Sequence, residues 1–229
     1  MKKFYLFLIM AAGLFPLMPD KPARAGDVSL PQPGLKGPIS VEEALKSRRT
    51  NRSFSGRPLS LEQLAQILWA AYGVTDRRRG SALKTAPSAG AFYPLDVYAV
   101  VGPQTVSHIE AGVYHYQPEA HALTRLADGD RRENLGRAAL GQMWLTSAPA
   151  VIVITGEYAR CQVKYGPRGR NYTLMESGCV AQNIFLQAEA LGLKAGIIGA
   201  FVDGNVTKAL DLPPAHEPLL ILPVGYGRD

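Results

Sequence analysis

Arg48, Arg49, Thr50 and Arg52 put three guanidinium groups and a hydroxyl within five consecutive residues, just ahead of Phe54. A guanidinium presents a planar fork of donors that matches the oxygens of a phosphate, so this turn can receive an anion. It can equally be a basic helix end that complements the backbone dipole. Pro87, Ser88, Ala89 and Gly90 form a second stretch of interest. Small side chains leave room for a flat ring, and Gly90 lets the backbone approach a ligand closely; with no ligand the stretch is an ordinary turn. Glu176, Gly178 and Gln182 form a third, in which a glycine removes a side chain from a helix surface and Gln182 follows one turn later on the same face. A core helix making a close packing contact reads the same way.

Elements must position these residues. Residues 26–40 carry Pro31, Pro33, Gly34 and Gly37 and read as an extended arm. Ser40-Val41-Glu42-Glu43 is a capping box opening a short helix with Val41, Ala44 and Leu45 on one face. A second box, Ser60-Leu61-Glu62-Gln63, opens a longer helix with Leu61, Leu64, Ala65, Leu68, Ala71 and Tyr72 at helical spacing, stopped by Gly73. Arg77 to Arg79 read as a solvated loop. Leu95 to Val101 reads as a strand, and 113–117 with 123–126 as a hairpin around Pro118-Glu119, apart from the main alternation. Glu133 to Gln142 reads as helix, and Ala150 to Thr155 as a strand covered on both faces at the sheet centre. The longest periodic segment, Tyr172 to Leu191, is a central helix stopped by Gly192. An extended stretch from Ala195 to Phe201, a short helix capped by Asn205 and a last strand from Leu219 to Val224 follow. The predicted fold class is α+β, one three-layer domain over residues 41–229 with a central mixed sheet flanked by helices. Fold class alone names no function.

The N-terminus reads as an address. Lys2 and Lys3 precede an apolar run from Phe4 to Met18, too short to span a bilayer, and Ala23-Arg24-Ala25 supplies the small-x-small cleavage pattern. Residues 1–25 are therefore expected to be a signal peptide cleaved after Ala25, giving an exported protein, periplasmic or secreted. Cleavage removes four basic residues and one acidic one, lowering the formal charge from +6 to +3, so the basic balance gives no reason to expect nucleic acid. Cys161 and Cys179 allow one disulfide, although a buried free thiol is the simpler reading, and no metal site is predicted.

Taken in order, these motifs resemble those of the nitroreductase family of flavoenzymes. Arg48-Arg49-Thr50-Asn51-Arg52-Ser53-Phe54 is similar to the family's Arg-(Arg/His)-(Ser/Thr)-x-(Arg/Lys)-x-Phe motif. The resemblance implies that Arg48, Arg49, Thr50 and Arg52 hold the phosphate and ribityl end of FMN. It further implies a homodimer, in which the loop of Pro87, Ser88, Ala89 and Gly90 reaches the flavin ring of the partner subunit. Glu176, Gly178 and Gln182, with Gly199 beyond them, match the family's helix and strand beneath the cofactor, and Arg228 matches a basic residue that returns to the phosphate.

Within that family the chain looks closest to the SagB-type dehydrogenases, through Pro-Ser-Ala-Gly-x-x-Tyr-Pro, Gly-Val-Tyr-His-Tyr and the segment from Lys164 to Gly169. The resemblance implies a proton-transfer role for Lys164 and Tyr165; a solvated loop lid is the other reading. Cys179 stands where relatives often carry histidine. The expected activity is hydride transfer between FMN and a small organic substrate. Nicotinamide nucleotides are scarce outside the cytoplasm, so a different electron donor or acceptor is expected. The alternatives are a flavin-binding protein without turnover and an interaction module that has lost flavin.

Overall fold

The computed structural model describes residues 27–78 and 81–228. The signal peptide read over residues 1–25, its cleavage product's first residue Gly26, and Arg79 lie outside the described residues.

Both capping boxes form. Ser40 and Glu43 close the start of α1 (Val41–Ser47), and Ser60 and Gln63 close the start of α2 (Leu61–Tyr72), each side chain taking an amide the helix leaves unpaired. On α1 only Ala44 is buried, while Val41 and Leu45 stay exposed, with no element among the described residues covering that face. The expected loop at Arg77 is instead a hairpin of β2 (Val74–Arg78) and β3 (Ser81–Lys84), in which Arg77 pairs with Glu119 at 3.0 Å. Polar strands give little periodic signal, and here cross-strand pairing supplies the order.

The main sheet contains β1 (Val28–Ser29), β4 (Leu95–Val101), β5 (Gly112–Gln117), β6 (Ala122–Asp128), β7 (Ala150–Gly156), β8 (Lys194–Ala195) and β9 (Glu217–Gly225). Their order is β1-β6-β5-β4-β7-β9-β8, and every ladder is antiparallel. Among the described residues, parallel pairing enters only through isolated bridges, Thr50 to Ala195 and Leu59 to Val106. The 112–128 hairpin, expected to stand apart, is part of this sheet because β5 pairs along β4.

The three layers follow from the two-residue period of the strands. Val97, Ala99, Val101, Ile152, Ile154, Leu222 and Val224 face α2 and α5 (Arg168–Ala190). Tyr98, Val100, Val151, Val153 and Ile221 face α3 (Arg132–Ala138) and α6 (Asp203–Leu210). β7 is buried on both faces, as its unbroken apolar run requires.

Helix boundaries differ from expectation at several points, and α5 itself begins at Arg168, a turn before Tyr172. α3 stops at Ala138 because Leu140 and Gly141 turn the chain with positive φ, and a 3-10 segment follows at Met143–Ser147. α6 is capped by Val202, with Asn205 inside its first turn. The segment holding Lys164 and Tyr165 is helix α4 (Ala159–Tyr165), not a loop; Gly166, at φ 52° and ψ −141°, breaks it before α5 begins.

Tight closure of the C-terminal strand is testable. A β-carbon on Gly225 would lie 2.3 Å from Pro149 Cδ, a ring that cannot rotate away. Gly225→Ala is expected to cost about 1–3 kcal/mol or more, read as a lower urea midpoint at unchanged slope.

Candidate active site

Helix α5 organises the site. Glu176, 3 % exposed, accepts a 2.6 Å hydrogen bond at Oε1 from the Tyr72 hydroxyl of α2, and Tyr72 Oη accepts from Leu95 N–H. Burial pushes the Glu176 carboxyl up, against the Ser88 and Tyr72 hydroxyls and the Lys84 ammonium, which favour its ionised form. Oε2 has no hydrogen-bond partner among the described residues.

The loop beside Glu176 is strained. Gly90, Ala91 and Tyr93 adopt φ of 62°, 55° and 48°, a region costing about 1–3 kcal/mol for each residue with a side chain. Besides backbone bonds from Ala91 N–H to Ser88 O and Phe92 N–H to Ala89 O, side chains hold it: Tyr93 N–H donates to Ser88 Oγ at 2.9 Å, and Lys84 N–H donates to Tyr93 Oη at 3.1 Å. A β-carbon on Gly90 would lie 2.7 Å from Tyr165 Oη, so the absence of a side chain admits the tyrosine of α4. Tyr165 meets Phe92 and Tyr172 edge-on, and Lys164 is exposed with its Nζ 5.4 Å from the Tyr165 ring. The predicted loop of Pro87, Ser88, Ala89 and Gly90 and the predicted pair Lys164 and Tyr165 are thus brought together.

α4 is held by ion pairs. Arg160 reaches Asp96 at 2.8 Å, Glu157 at 2.7 Å and the carbonyl of Tyr93 at 3.3 Å. Burial opposes ionisation of Asp96, but His115 at 2.9 Å together with Arg160 and His216 outweighs it and holds the carboxyl below its ordinary range. Asp96, Glu157 and His216 each place a ligand atom within 4.8 Å of the others. The Arg160 guanidinium already bridges the two carboxylates, which opposes a cation there.

The arginine turn lies elsewhere along α5. Arg48 sits 5.4 Å over the Phe185 ring, Arg49 donates to the carbonyls of Lys46 and Arg48, and Thr50 bridges to Ala195. Arg52 is exposed, and none of the hydrogen bonds or ion pairs among the described residues engages its side chain. β9 returns the chain end to this turn: Arg228 N–H donates to Ser53 O at 3.1 Å, and Ser55 N–H to Tyr226 O at 3.0 Å. Gly178 and Gly199 are exposed, and a β-carbon on either would meet nothing within 4 Å, so open space adjoins both. Gln182, half-buried, continues the same exposed side of α5.

A nearby cavity of about 680 Å³ lies between the arm, α2 and α5, lined by Gln66, Trp69, Asn183 and Leu186, with none of the arginines of the turn in its wall. Cys161 and Cys179 are free thiols, Cys161 buried, so the disulfide is not formed. Sequence reasoning missed Tyr72, Lys84, Tyr93, Asp96 and Arg160. For Lys84 the available signal was a lone cation directly ahead of a small-residue loop.

An exposed cationic turn and a small-residue loop packed against a lysine–tyrosine pair thus lie at different places around α5, over an antiparallel sheet. The nitroreductase family profile matches residues 45–226. A protein of Methanocaldococcus jannaschii named for the nitroreductases is 44% identical over 187 residues, covering 82% of this chain and 91% of its own. The microcin B17-processing protein McbC of Escherichia coli is 29% identical over 157 residues, covering 67% of this chain and 57% of its own. A crystal structure titled as a nitroreductase, from Ralstonia eutropha, superposes with a TM-score of 0.74 at 26% identity, covering 93% of this chain and 96% of that one. The chain belongs to the nitroreductase family and is an oxidoreductase.

The Tyr72–Glu176 bond yields a pH-dependent prediction. A carboxyl whose folded pKa is raised binds its proton more tightly when folded, so its burial costs stability as pH rises past the unfolded value. Tyr72→Phe removes a donor to the ionised form and is expected to cost about 1–3 kcal/mol at neutral pH, shrinking as pH falls toward the Glu176 titration. Urea unfolding on both sides of that titration checks it.

Proposed function

We propose that this chain is an exported FMN-dependent oxidoreductase acting as a homodimer, passing a hydride between FMN and a small organic substrate. The observation that carries the reading is the placement of two half-sites on α5. Glu176, beside the loop, and Phe185, under Arg48, are nine residues apart, which is two and a half helical turns and about 14 Å. They therefore point to opposite sides of the helix. A second copy that presents its own loop to this chain's arginine turn would complete the site.

Exposed apolar side chains favour such a partner. Leu174 and Met175 of α5, one turn before Gly178, are exposed, as are Val163 of α4 and Val41 and Leu45 on α1. The residues also fit FMN. Arg48, Arg49, Thr50, Arg52 and Arg228 would hold its phosphate and ribityl end, where Arg52 is free to turn toward an anion. Gly178 and Gly199 leave open surface for the ring, with Gln182 one turn further along that side of the helix and Glu176 behind it on the buried side. The partner's loop of Pro87, Ser88, Ala89 and Gly90 would cover the ring. When bound, FMN supplies the hydride acceptor or donor. Tyr165, seated against Gly90, and Lys164 beside it would move the accompanying proton at the substrate. Likeness to McbC favours the SagB-type branch, and removal of residues 1–25 would place the enzyme where a donor other than a nicotinamide nucleotide serves it.

The mature chain is expected to keep stoichiometric flavin absorbance with a dimer through desalting. Arg52→Ala should weaken FMN binding by about tenfold or more, since a hydrogen bond to a charged group contributes roughly 1.5–3 kcal/mol. A chain that retains no flavin would instead be an interaction module. Lys164→Ala should leave flavin binding unchanged and lower turnover by about 10²-fold or more; equal turnover would remove Lys164 from the chemistry.

A further inference from the structure

Lys84 ends β3 immediately before the strained loop, and the proposed chemistry makes no use of it. Its Nζ lies 4.0 Å from the centre of the Tyr72 ring and 4.9 Å from that of Tyr93, while its backbone N–H donates to the Tyr93 hydroxyl. Both rings are anchored: Tyr72 bonds Glu176 on α5, and the Tyr93 amide bonds Ser88 across the loop. Tyr93 is also a residue in the left-handed region, where a side chain is unfavourable unless its surroundings hold it.

We propose that Lys84 is a positioning residue, an ammonium clasped between two rings that holds the Ser88–Tyr93 loop in its strained, site-forming shape. The rings' negative faces attract the cation, and the cation in turn ties the loop's Tyr93 to Tyr72 of α2. The charged groups facing it are Glu119 in the turn between β5 and β6, Asp96 on β4 and Glu176 on α5, which favour its charge, and Arg160 on α4, which opposes it. Burial outweighs the acids and pulls the ammonium down to about 8. The clasp is therefore present at neutral pH and is released as pH rises through that value, which makes the loop shape sensitive to mild alkali.

The test compares the wild type with Lys84→Met, which keeps length but not charge, and Lys84→Arg, which keeps charge to high pH. The first readout needs no flavin: hydrogen-exchange protection of the Tyr93 amide in the chain as purified. At neutral pH protection should fall about tenfold in Lys84→Met and stay near wild type in Lys84→Arg. The second readout rests on the flavin reading above: FMN affinity between about pH 7 and pH 9, where burial has lowered the lysine. It should weaken with pH in the wild type, be weak and flat in Lys84→Met, and be tight and flat in Lys84→Arg. Wild-type protection in Lys84→Met, or equal loss in both variants, would overturn the proposal. Absence of FMN binding in every variant would defeat the flavin reading alone, because the exchange result decides the role of Lys84 by itself.

Discussion

One helix has to serve two surfaces. α5 buries one side against the sheet and α2, and its remaining side, with Leu174, Met175 and Gly178, is exposed. The 3.6-residue period then dictates the rest. Glu176 and the loop it supports fall on one side of the axis, and Phe185 with the arginine over it falls on the other. In the proposed dimer these are the two halves of one site, which the chain's own α5 keeps apart.

Each half is held by a different kind of force. The arginine turn is stitched by backbone: Asn51 N–H to Ala195 O, Ser55 N–H to Tyr226 O and Arg228 N–H to Ser53 O tie it to β8 and to the end of β9. Such bonds leave the guanidinium groups of Arg52 and Arg228 free to face an anion. The loop is held by side chains, because its φ values sit where backbone alone is unfavourable. Tyr93, Ser88, Tyr72 and Glu176 offset that cost with hydrogen bonds and ring packing. Strain concentrated beside Tyr165 gives the loop a defined shape before any ligand arrives.

The charged groups behind the loop do related work. Arg160 joins Asp96, Glu157 and the Tyr93 carbonyl, so the N-terminal turn of α4 is fixed to the sheet and the loop together. Tyr98 stacks on His115 and bonds His216, closing the far side of the same network. The acids at this sheet end are tolerated because each has a cationic or hydroxyl partner: Asp96 and Glu157 pair with Arg160, and Glu217 with Arg170 and the Tyr158 hydroxyl. The Glu176 Oε2 atom accepts no hydrogen bond among the described residues, while the Lys84 ammonium favours the ionised carboxylate.

Local chemistry was legible in the chain. Ser40 and Ser60 with their partners three residues on define helix starts, the apolar run from Ala150 defines a doubly covered strand, and the motif from Arg48 to Phe54 pointed to the family that the profile matches. These features depend on residues within a few positions of each other, and short-range sterics and hydrogen bonding write them into sequence. The helical state of Lys164 and Tyr165 was missed because Gly166 masks a break between two helices as a loop. Tyr72, Lys84, Tyr93 and Glu176 come from four places in the chain, and no spacing announces that they meet. Their meeting was decided by the packing of α2 on α5 and by the β2–β3 hairpin, since a buried polar group acquires partners only when distant elements close around it.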